Sequence, residues 1–246
     1  MFSRRLLIAA AAAAFVLGLV ALFPARLALA WFAPAQFSAA GVEGTIWSGR
    51  AARASAAGVF LAPLSWEFRP AALLGGAAGY RIDAELPGGS VRGDVSLGLT
   101  GTLRVADLQA SVPLESVSRI MPVAQAEGRL RADIERGRFD GGWPSELVGT
   151  VSVEDLVYRP AGSNSIGNYR VEFLPTEDGG LRGVLADGGG PLEVAGEIAL
   201  SGERDYELRG EVRARPGAPA ALANSLRFLG SADEAGRREF SLAGRL

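Results

Sequence analysis

From Gly79 onward the chain alternates apolar and polar residues with a period of two, and this alternation constrains the fold more than any other feature. Tyr80, Ile82, Ala84 and Leu86 oppose Arg81, Asp83 and Glu85. After Pro87-Gly88-Gly89, Val91, Gly93, Val95, Leu97 and Leu99 oppose Arg92, Asp94 and Ser96, and Leu103 and Val105 prolong the run to Asp107. Neighbouring side chains on a strand point to opposite faces, so each such strand carries one apolar and one polar face. Strands of this kind build antiparallel sheets covered on one side only. A one-residue slip would expose the whole apolar set, so the register is well specified.

The same grammar extends in both directions. Leu64, Trp66 and Phe68 alternate with Ser65, Glu67 and Arg69, with Pro63 and Pro70 confined to the ends, as strand geometry requires. Gly41–Arg50, in which Val42, Gly44 and Ile46 alternate with Glu43, Thr45 and Trp47, reads as the opening strand, and Arg50–Ala57 as a second. Ala71–Leu74 reads as a turn of helix or a loop before Gly75-Gly76. Later come the strands Gly128–Glu135 and Leu147–Asp155 around a Gly141-Gly142-Trp143-Pro144 turn, then Val194–Ile198 and Tyr206–Ala214. The 33 glycines suit short strands and tight turns.

Two stretches break the period. Leu114, Val117 and Ile120 recur at helical spacing between Pro113 and Met121, and a second helix is expected around Ala220–Leu229 with Gly230 as its stop. Leu108–Ile134 and Tyr206–Leu246 share the order strand, proline, short helix, strand. A degenerate duplication or convergent meander grammar would each produce this.

Leu6–Phe23 gives 18 residues without a charge. As a helix it would be about 27 Å long, close to the roughly 30 Å hydrocarbon core of a bilayer. Arg4 and Arg5 before it, against the lone Arg26 after it, favour a cytoplasmic N-terminus. Ala28-Leu29-Ala30 would suit a signal-peptidase site. The apolar run nevertheless exceeds the 7–15 residues of a signal core, and Arg26 lies where cleavage would occur, so an uncleaved anchor is expected.

The missing residues restrict chemistry. The chain has no cysteine and no histidine, which removes thiol nucleophiles, zinc–thiolate sites and the usual general base. All 25 basic residues are arginine, and the net charge of −2 gives no basic field for nucleic acid. Asp133 and Glu135 share a strand face with Arg129 and Arg131, as on a solvated face. Spacing of two on a strand does not set two carboxylates across a cleft. Glu154-Asp155 and Glu177-Asp178 lie in no calcium-loop pattern, and Asp178-Gly179-Gly180 reads as a hairpin turn. Gly188–Gly190 lacks the lysine of a phosphate loop, and Ser163 and Ser165 lack an activating base. No catalytic residue, metal site or cofactor is expected, and the chain is not expected to be an enzyme.

Trp47 lies on the face of Glu43 and Thr45, away from Val42. It caps the sheet edge or packs under a helix, or else it anchors a partner, with Arg50 and Arg53 as rim charges. Leu64, Trp66, Phe68, Val95, Leu97 and Leu99 form the candidate apolar face.

Val42–Ala51, Leu64–Pro70 with Leu73-Leu74, Gly190-Pro191-Leu192, Gly196–Leu200 and the helix before Leu229-Gly230, in this order after an N-terminal anchor, resemble protein N of the bacterial type II secretion system. The resemblance runs essentially end to end. It implies a single-pass inner-membrane protein with a periplasmic β-rich body that supports secretion and binds other secretion-system proteins. It transfers no catalytic residue. A weaker similarity of fold grammar to AsmA-like envelope proteins implies the alternative of a lipid-binding groove.

The expected architecture is mainly β. A cytoplasmic stub (1–5), a transmembrane signal anchor (6–30) and a juxtamembrane linker (31–40) precede a periplasmic domain (41–246). That domain is a single curved antiparallel meander, of two similar halves if duplicated, with two short helices.

Overall fold

Among the described residues, thirteen β-strands follow one another across a single sheet in the order they occur in the chain, each antiparallel to the last. A computed structural model describes residues 4–33, 36–56, 58–117, 126–159, 165–176, 180–201 and 205–245, the side chains of residues 4–6 and 9 excepted. The strands are β1 (Phe37–Gly44), β2 (Ser48–Ala56), β4 (Leu64–Arg69), β5 (Ala77–Leu86), β6 (Gly89–Gly98) and β7 (Leu103–Pro113), then β8 (Ala126–Asp140), β9 (Trp143–Tyr158) and β10 (Ser165–Pro175), then β11 (Leu181–Asp187), β12 (Leu192–Leu200), β13 (Asp205–Ala214) and β14 (Arg238–Arg245). A fourteenth, β3 (Val59–Leu61), pairs with β2 beside this path. The sheet is open, with β1 at one edge and β14 at the other.

Register turns the alternation of single strands into two faces. One cross-strand row runs Val42, Ala51, Leu64, Ala84, Val91, Ala110, Ala132, Val151, Val171, Leu185, Gly196, Gly210, Phe240, and every member is apolar or glycine. The adjacent row begins Glu43, Arg50, Ser65, Asp83, Arg92 and ends Glu197, Arg209, Ser241, and it is polar except at Val184. On the apolar side, rings lie over glycines of the neighbouring strand: Trp66 over Gly49, Phe240 over Gly210, Tyr206 over Gly244. A Cβ at any of these glycines would collide with the ring.

A single layer buries its apolar face only where something covers it. Four α-helices are present among the described residues: α1 (Arg4–Ala21), α2 (Ala25–Phe32), α3 (Leu114–Val117) and α4 (Ala220–Ser225), the last continued as a 3-10 turn to Leu229, and a separate 3-10 helix spans Pro70–Gly75. Buried side chains gather where a helix packs on the sheet. Ala51, Leu64 and Ala84 are buried at the α2 end, and Leu222 and Leu226 of α4 and its extension bury Leu192 and Val212. Near α3, Val59, Leu86 and Val112 form the third cluster, with Val117 against it. The total accessible surface is 15683 Å². A compact monomer of this mass would expose about 10,400 Å², so much of the apolar face and of α1 remains open. The sheet also bends: Trp143 at the start of β9 donates its indole N–H to the carbonyl of Ser201, 2.9 Å away at the end of β12. Three strand spacings in a flat sheet would separate them by about 14 Å.

The structure revises several sequence expectations. Gly41–Arg50 is not one strand but a hairpin: β1 stops at Gly44, Thr45–Trp47 turn, and Gly49 pairs back with Gly44. Val91–Val105 likewise divides at a turn, because Gly98 donates to Thr102 O and Gly101, with φ of +82°, donates to Gly98 O. Leu99 therefore sits in that turn, 95% exposed, and not on the sheet face. The apolar N-terminal segment is two helices, since Pro24 has no N–H to continue α1. The expected linker is shortened by α2, which reaches Phe32, and by β1, which begins at Phe37. Among the described residues no helix is long and apolar enough to cross a membrane. Of the expected helix over 113–121, Leu114–Val117 is helical and 118–121 lie outside the described residues. The helix over Ala220–Leu229 and its Gly230 stop stand as read, while the expected turn Gly141–Pro144 is confined to Gly141-Gly142, because Trp143 and Pro144 already pair with Asp140 and Phe139 in the β8–β9 ladder. Both turn glycines have positive φ, +59° and +82°, which a tight hairpin of this kind demands.

One polar clip secures the β11–β12 turn. The Asp187 carboxylate accepts from the amides of Gly189 (3.1 Å) and Val194 (3.3 Å) and from Arg215 (2.6 Å). Burial alone would raise its pKa, but the Arg215 guanidinium and the two amides outweigh that and hold it below the ordinary carboxylate value. A depressed folded-state pKa contributes stability that is complete above the unfolded value of roughly 3.9 and is lost as pH falls below it. Asp187→Asn is expected to cost about 2 kcal/mol at neutral pH, less than a fully buried pair because Arg215 is a third exposed. In urea titrations the gap between variant and parent closes below about pH 4.

Candidate functional site

The N-terminal helices and the β1–β2 hairpin meet at a junction tied by backbone and indole hydrogen bonds. Pro24 leaves α1 free to end and starts α2, and it forms a β-bridge with Thr45 in the hairpin turn. The Ile46 amide donates to Phe23 O at 3.1 Å, and the Trp47 indole N–H donates to Val20 O at 2.8 Å. Thr45 Oγ1 accepts from the amides of Trp47 and Ser48, which fixes the turn that aims the indole at α1. Trp47 meets Phe68 edge to face at 4.8 Å, and Phe68 meets Tyr80 at 5.4 Å. Such pairs contribute about 0.5–1.5 kcal/mol beyond their burial. Burial raises the Tyr80 phenol pKa.

Behind this ladder, α2 lies against the apolar face. Ala25 is 2% exposed, and Ala28 and Leu29 line a cavity of about 270 Å³ with Phe37, Ile46, Leu64, Trp66, Tyr80 and Ile82. Trp66 forms its wall and donates its indole N–H to Thr45 O at 3.1 Å. The cavity is nearly all apolar. It can hold an aliphatic group, but it offers no nucleophile or base.

The expected partner residues are thus placed differently from one another. Trp47 is half-buried and engaged with Val20 and Phe68. Arg50 is exposed and donates twice to Glu43 Oε2, at 3.0 and 2.6 Å, an exposed pair worth at most about 1 kcal/mol. Arg53 is exposed opposite Ala40 and has no ion pair among the described residues. Of the expected apolar face, Leu64 is buried, Trp66 and Phe68 are half-buried, and Val95 continues the face between Tyr80 and Val105. Leu97 is about half exposed beside Leu103.

The contribution of α2 was missed in the sequence because Ala25–Ala30 was assigned to the anchor. Its signal was present: Ala25, Ala28, Leu29 and Phe32 follow helical spacing directly after a proline, with Arg26 on another side.

The carboxylates Asp133, Glu135, Glu154 and Asp155 lie on the sheet. Asp133 pairs in register with Gln109 and Thr150, and Glu135 occupies a register shift between Ile134 and Arg136. Glu154 binds Arg131 at 3.0 Å, and Asp155 is bulged with φ of +50°. Ser165 opens β10, and its Oγ accepts from the Gly167 amide. Gly188–Gly190 forms the turn that Asp187 clips. Ser163, Glu177 and Asp178 lie outside the described residues. Among the described residues no three acidic side chains gather into a metal-sized cluster.

Residues 35–241 match the family model described as type II secretion system (T2SS), protein N. Three curated proteins bearing the name type II secretion system protein N are similar over most of their length. That of Aeromonas hydrophila is 27% identical over 212 residues, 84% of this chain and 83% of the relative. That of Vibrio cholerae is 27% identical over 236 residues, 91% of each. That of Klebsiella pneumoniae is 28% identical over 231 residues, 92% of this chain and 90% of the relative. No solved structure matches.

Proposed function

The chain belongs to the type II secretion system protein N family, and we propose that it is a non-catalytic, single-pass inner-membrane component of that apparatus. In this reading the uncharged segment Leu6–Phe23, which runs past the end of α1, is the anchor, its N-terminus cytoplasmic, and the β-sheet body is periplasmic and binds other secretion-system proteins at the membrane and in the periplasm. Arg50 and Arg53 are the contacts nearest the membrane, and Trp47 is the pin that fixes the body to its anchor.

The observation that carries the anchor is the surface of α1. Leu7, Ile8, Phe15, Leu17 and Leu19 are each more than half exposed. A helix apolar on several sides calls for lipid or another apolar partner. Cleavage after Ala30 would also strip Ala25, Ala28 and Leu29 from the cavity and expose Trp66 and Ile82. The protein isolated from membranes is therefore expected to begin before α1. N-terminal sequencing that finds a chain starting at Trp31 would overturn the reading. Photo-crosslinkers at positions 50 and 53 in intact membranes are expected to capture a secretion-system protein, and capture of lipid alone would count against that role.

One observation favours a second reading, an AsmA-like lipid-handling protein. The apolar face runs unbroken from the α2 cavity across the sheet and is only half-buried between the helices. Lipid copurifying with the full chain, identified by mass spectrometry, is the expected result on that reading.

A further inference from the structure

The two edges of the sheet are protected differently. Along β1, the pairing with β2 is interrupted at Gly41, whose φ is +66°, without a change of register, and α2 packs against the strand. Bulges and covering helices are the usual defences of an edge. β14 is less defended: all eight residues pair in unbroken register with β13, the 3-10 turn after α4 meets it at Phe240, and no strand lies on its outer side among the described residues. Its central stretch Phe240–Gly244 carries no charge, and Leu242 is 55% exposed. Beside this edge, the turn after α4 leaves Phe228 92% exposed.

We propose that β14 pairs antiparallel with β14 of a second copy of this chain, with the two Leu242 residues facing each other on the dyad. Residues directly opposite in an antiparallel pair share a face, so even-numbered positions must meet even-numbered ones. Among such registers, this one sets Glu239 opposite Arg245 of the second copy, twice by symmetry. It also sets Phe240 opposite Gly244 and joins Leu208 and Leu242 of each chain into one row of leucines. The neighbouring register, centred on Ser241, would set Arg237 against Arg245.

The charges inside one chain favour the same choice. Glu239 lies directly opposite Glu211 in the ladder, a like-charge pair that destabilises, and no cation pairs with it among the described residues. Arg245 reaches its own Asp205 only at 3.8 Å. In the dimer, Arg245 of one copy comes between Glu239 of the other and its own Asp205. The dyad is normal to the sheet, so copies anchored in one membrane meet with that axis along the membrane normal. The pairing does not rest on the secretion role.

The chain contains no cysteine, so single thiols report the register directly. In the full-length protein in detergent micelles, Leu242→Cys is expected to form a disulfide-linked dimer under mild oxidation. Ser241→Cys and Ala243→Cys, whose like residues lie about 7–8 Å apart diagonally, are expected to stay monomeric alone and to link when the two are mixed. Glu239→Arg is expected to weaken dimerisation by about tenfold in sedimentation, and the double variant Glu239→Arg/Arg245→Glu to recover most of it. Equal crosslinking at 241, 242 and 243 overturns the register. A Leu242→Cys chain that stays monomeric, or that links in membranes to a different polypeptide, overturns the self-pairing.

Discussion

Replacing Trp66 with alanine is expected to lower stability by about 3 kcal/mol, read as a shift in the urea midpoint, and to open the chain to trypsin after Arg26. Large-to-small aromatic substitutions in a core cost about 3–5 kcal/mol, and the lower end applies because Trp66 is half-buried. The loss would be spread over three elements. The ring walls the cavity beneath α2, covers Gly49 of β2 and holds the β1–β2 turn through Thr45 O. Without it α2 loses most of its footing, since Ala28 and Leu29 present little apolar area of their own. Arg26 is exposed on a docked helix and becomes cleavable only when that helix frays. Trp66→Phe keeps an aromatic wall but loses the second ring and the hydrogen bond, so it should cost about 1–2 kcal/mol and leave Arg26 protected. A Trp66→Ala chain as resistant to trypsin as the parent would show that α2 does not depend on this contact.

Gly149→Ala is expected to cost about 4 kcal/mol, a larger loss for a single methyl group. Gly149 sits in β9 opposite Ile134 with φ of +142°. A Cβ there would stand 2.3 Å from Asp133 O and 2.7 Å from Ile134 Cα, both atoms of the neighbouring backbone. No rotamer relieves such a clash, so β8 and β9, the two longest strands, must move apart. Backbone strain at a positive φ adds about 1–3 kcal/mol. Gly142→Ala is the control. Its φ of +82° carries the strain, but nothing lies within 4 Å of its Cβ position, so it should cost only about 1–2 kcal/mol. Equal losses for the two variants, measured by thermal or urea unfolding, would contradict the β8–β9 register.

Both predictions depend on information of unequal legibility. The alternation of Tyr80–Leu86 and Val91–Leu97 disclosed the strands and their faces, because a period of two is a property of the backbone and survives in any context. The start of the helix after Pro113 was legible through proline and helical spacing, and the helix over Ala220–Leu229 through Pro216 before it and Gly230 after it. The hairpins at Thr45–Trp47 and Leu99–Thr102 were not. Both turns lie inside runs whose alternation continues across the bend, so periodicity cannot tell a reversal from a continuation. Gly44 and Gly101, with φ of +90° and +82°, mark the turns, but among 33 glycines they do not stand out.

The candidate site was legible in its residue types and not in its contacts. Trp47 was notable in the sequence for its position alone, and only the fold reveals Val20 O as its acceptor, 27 residues earlier. Arg50 and Arg53 looked alike in sequence, yet one is paired with Glu43 and the other faces solvent.

The sequence by itself determined a one-faced antiparallel meander without thiol or imidazole chemistry, and an apolar N-terminal helix before it. These follow from local period and composition, which require no knowledge of neighbours. Tertiary structure decided where the face is covered and where it is open. The helix after Pro24 closes one end over Trp66 and the helix before Leu229 covers the other at Phe240, while the outer edge of β14 has no strand beside it among the described residues. Coverage depends on which distant segments meet. Ala28 and Leu29 suit a bilayer or a sheet equally well, and only the hairpin that receives Phe23, Pro24 and Val20 sets them against the sheet.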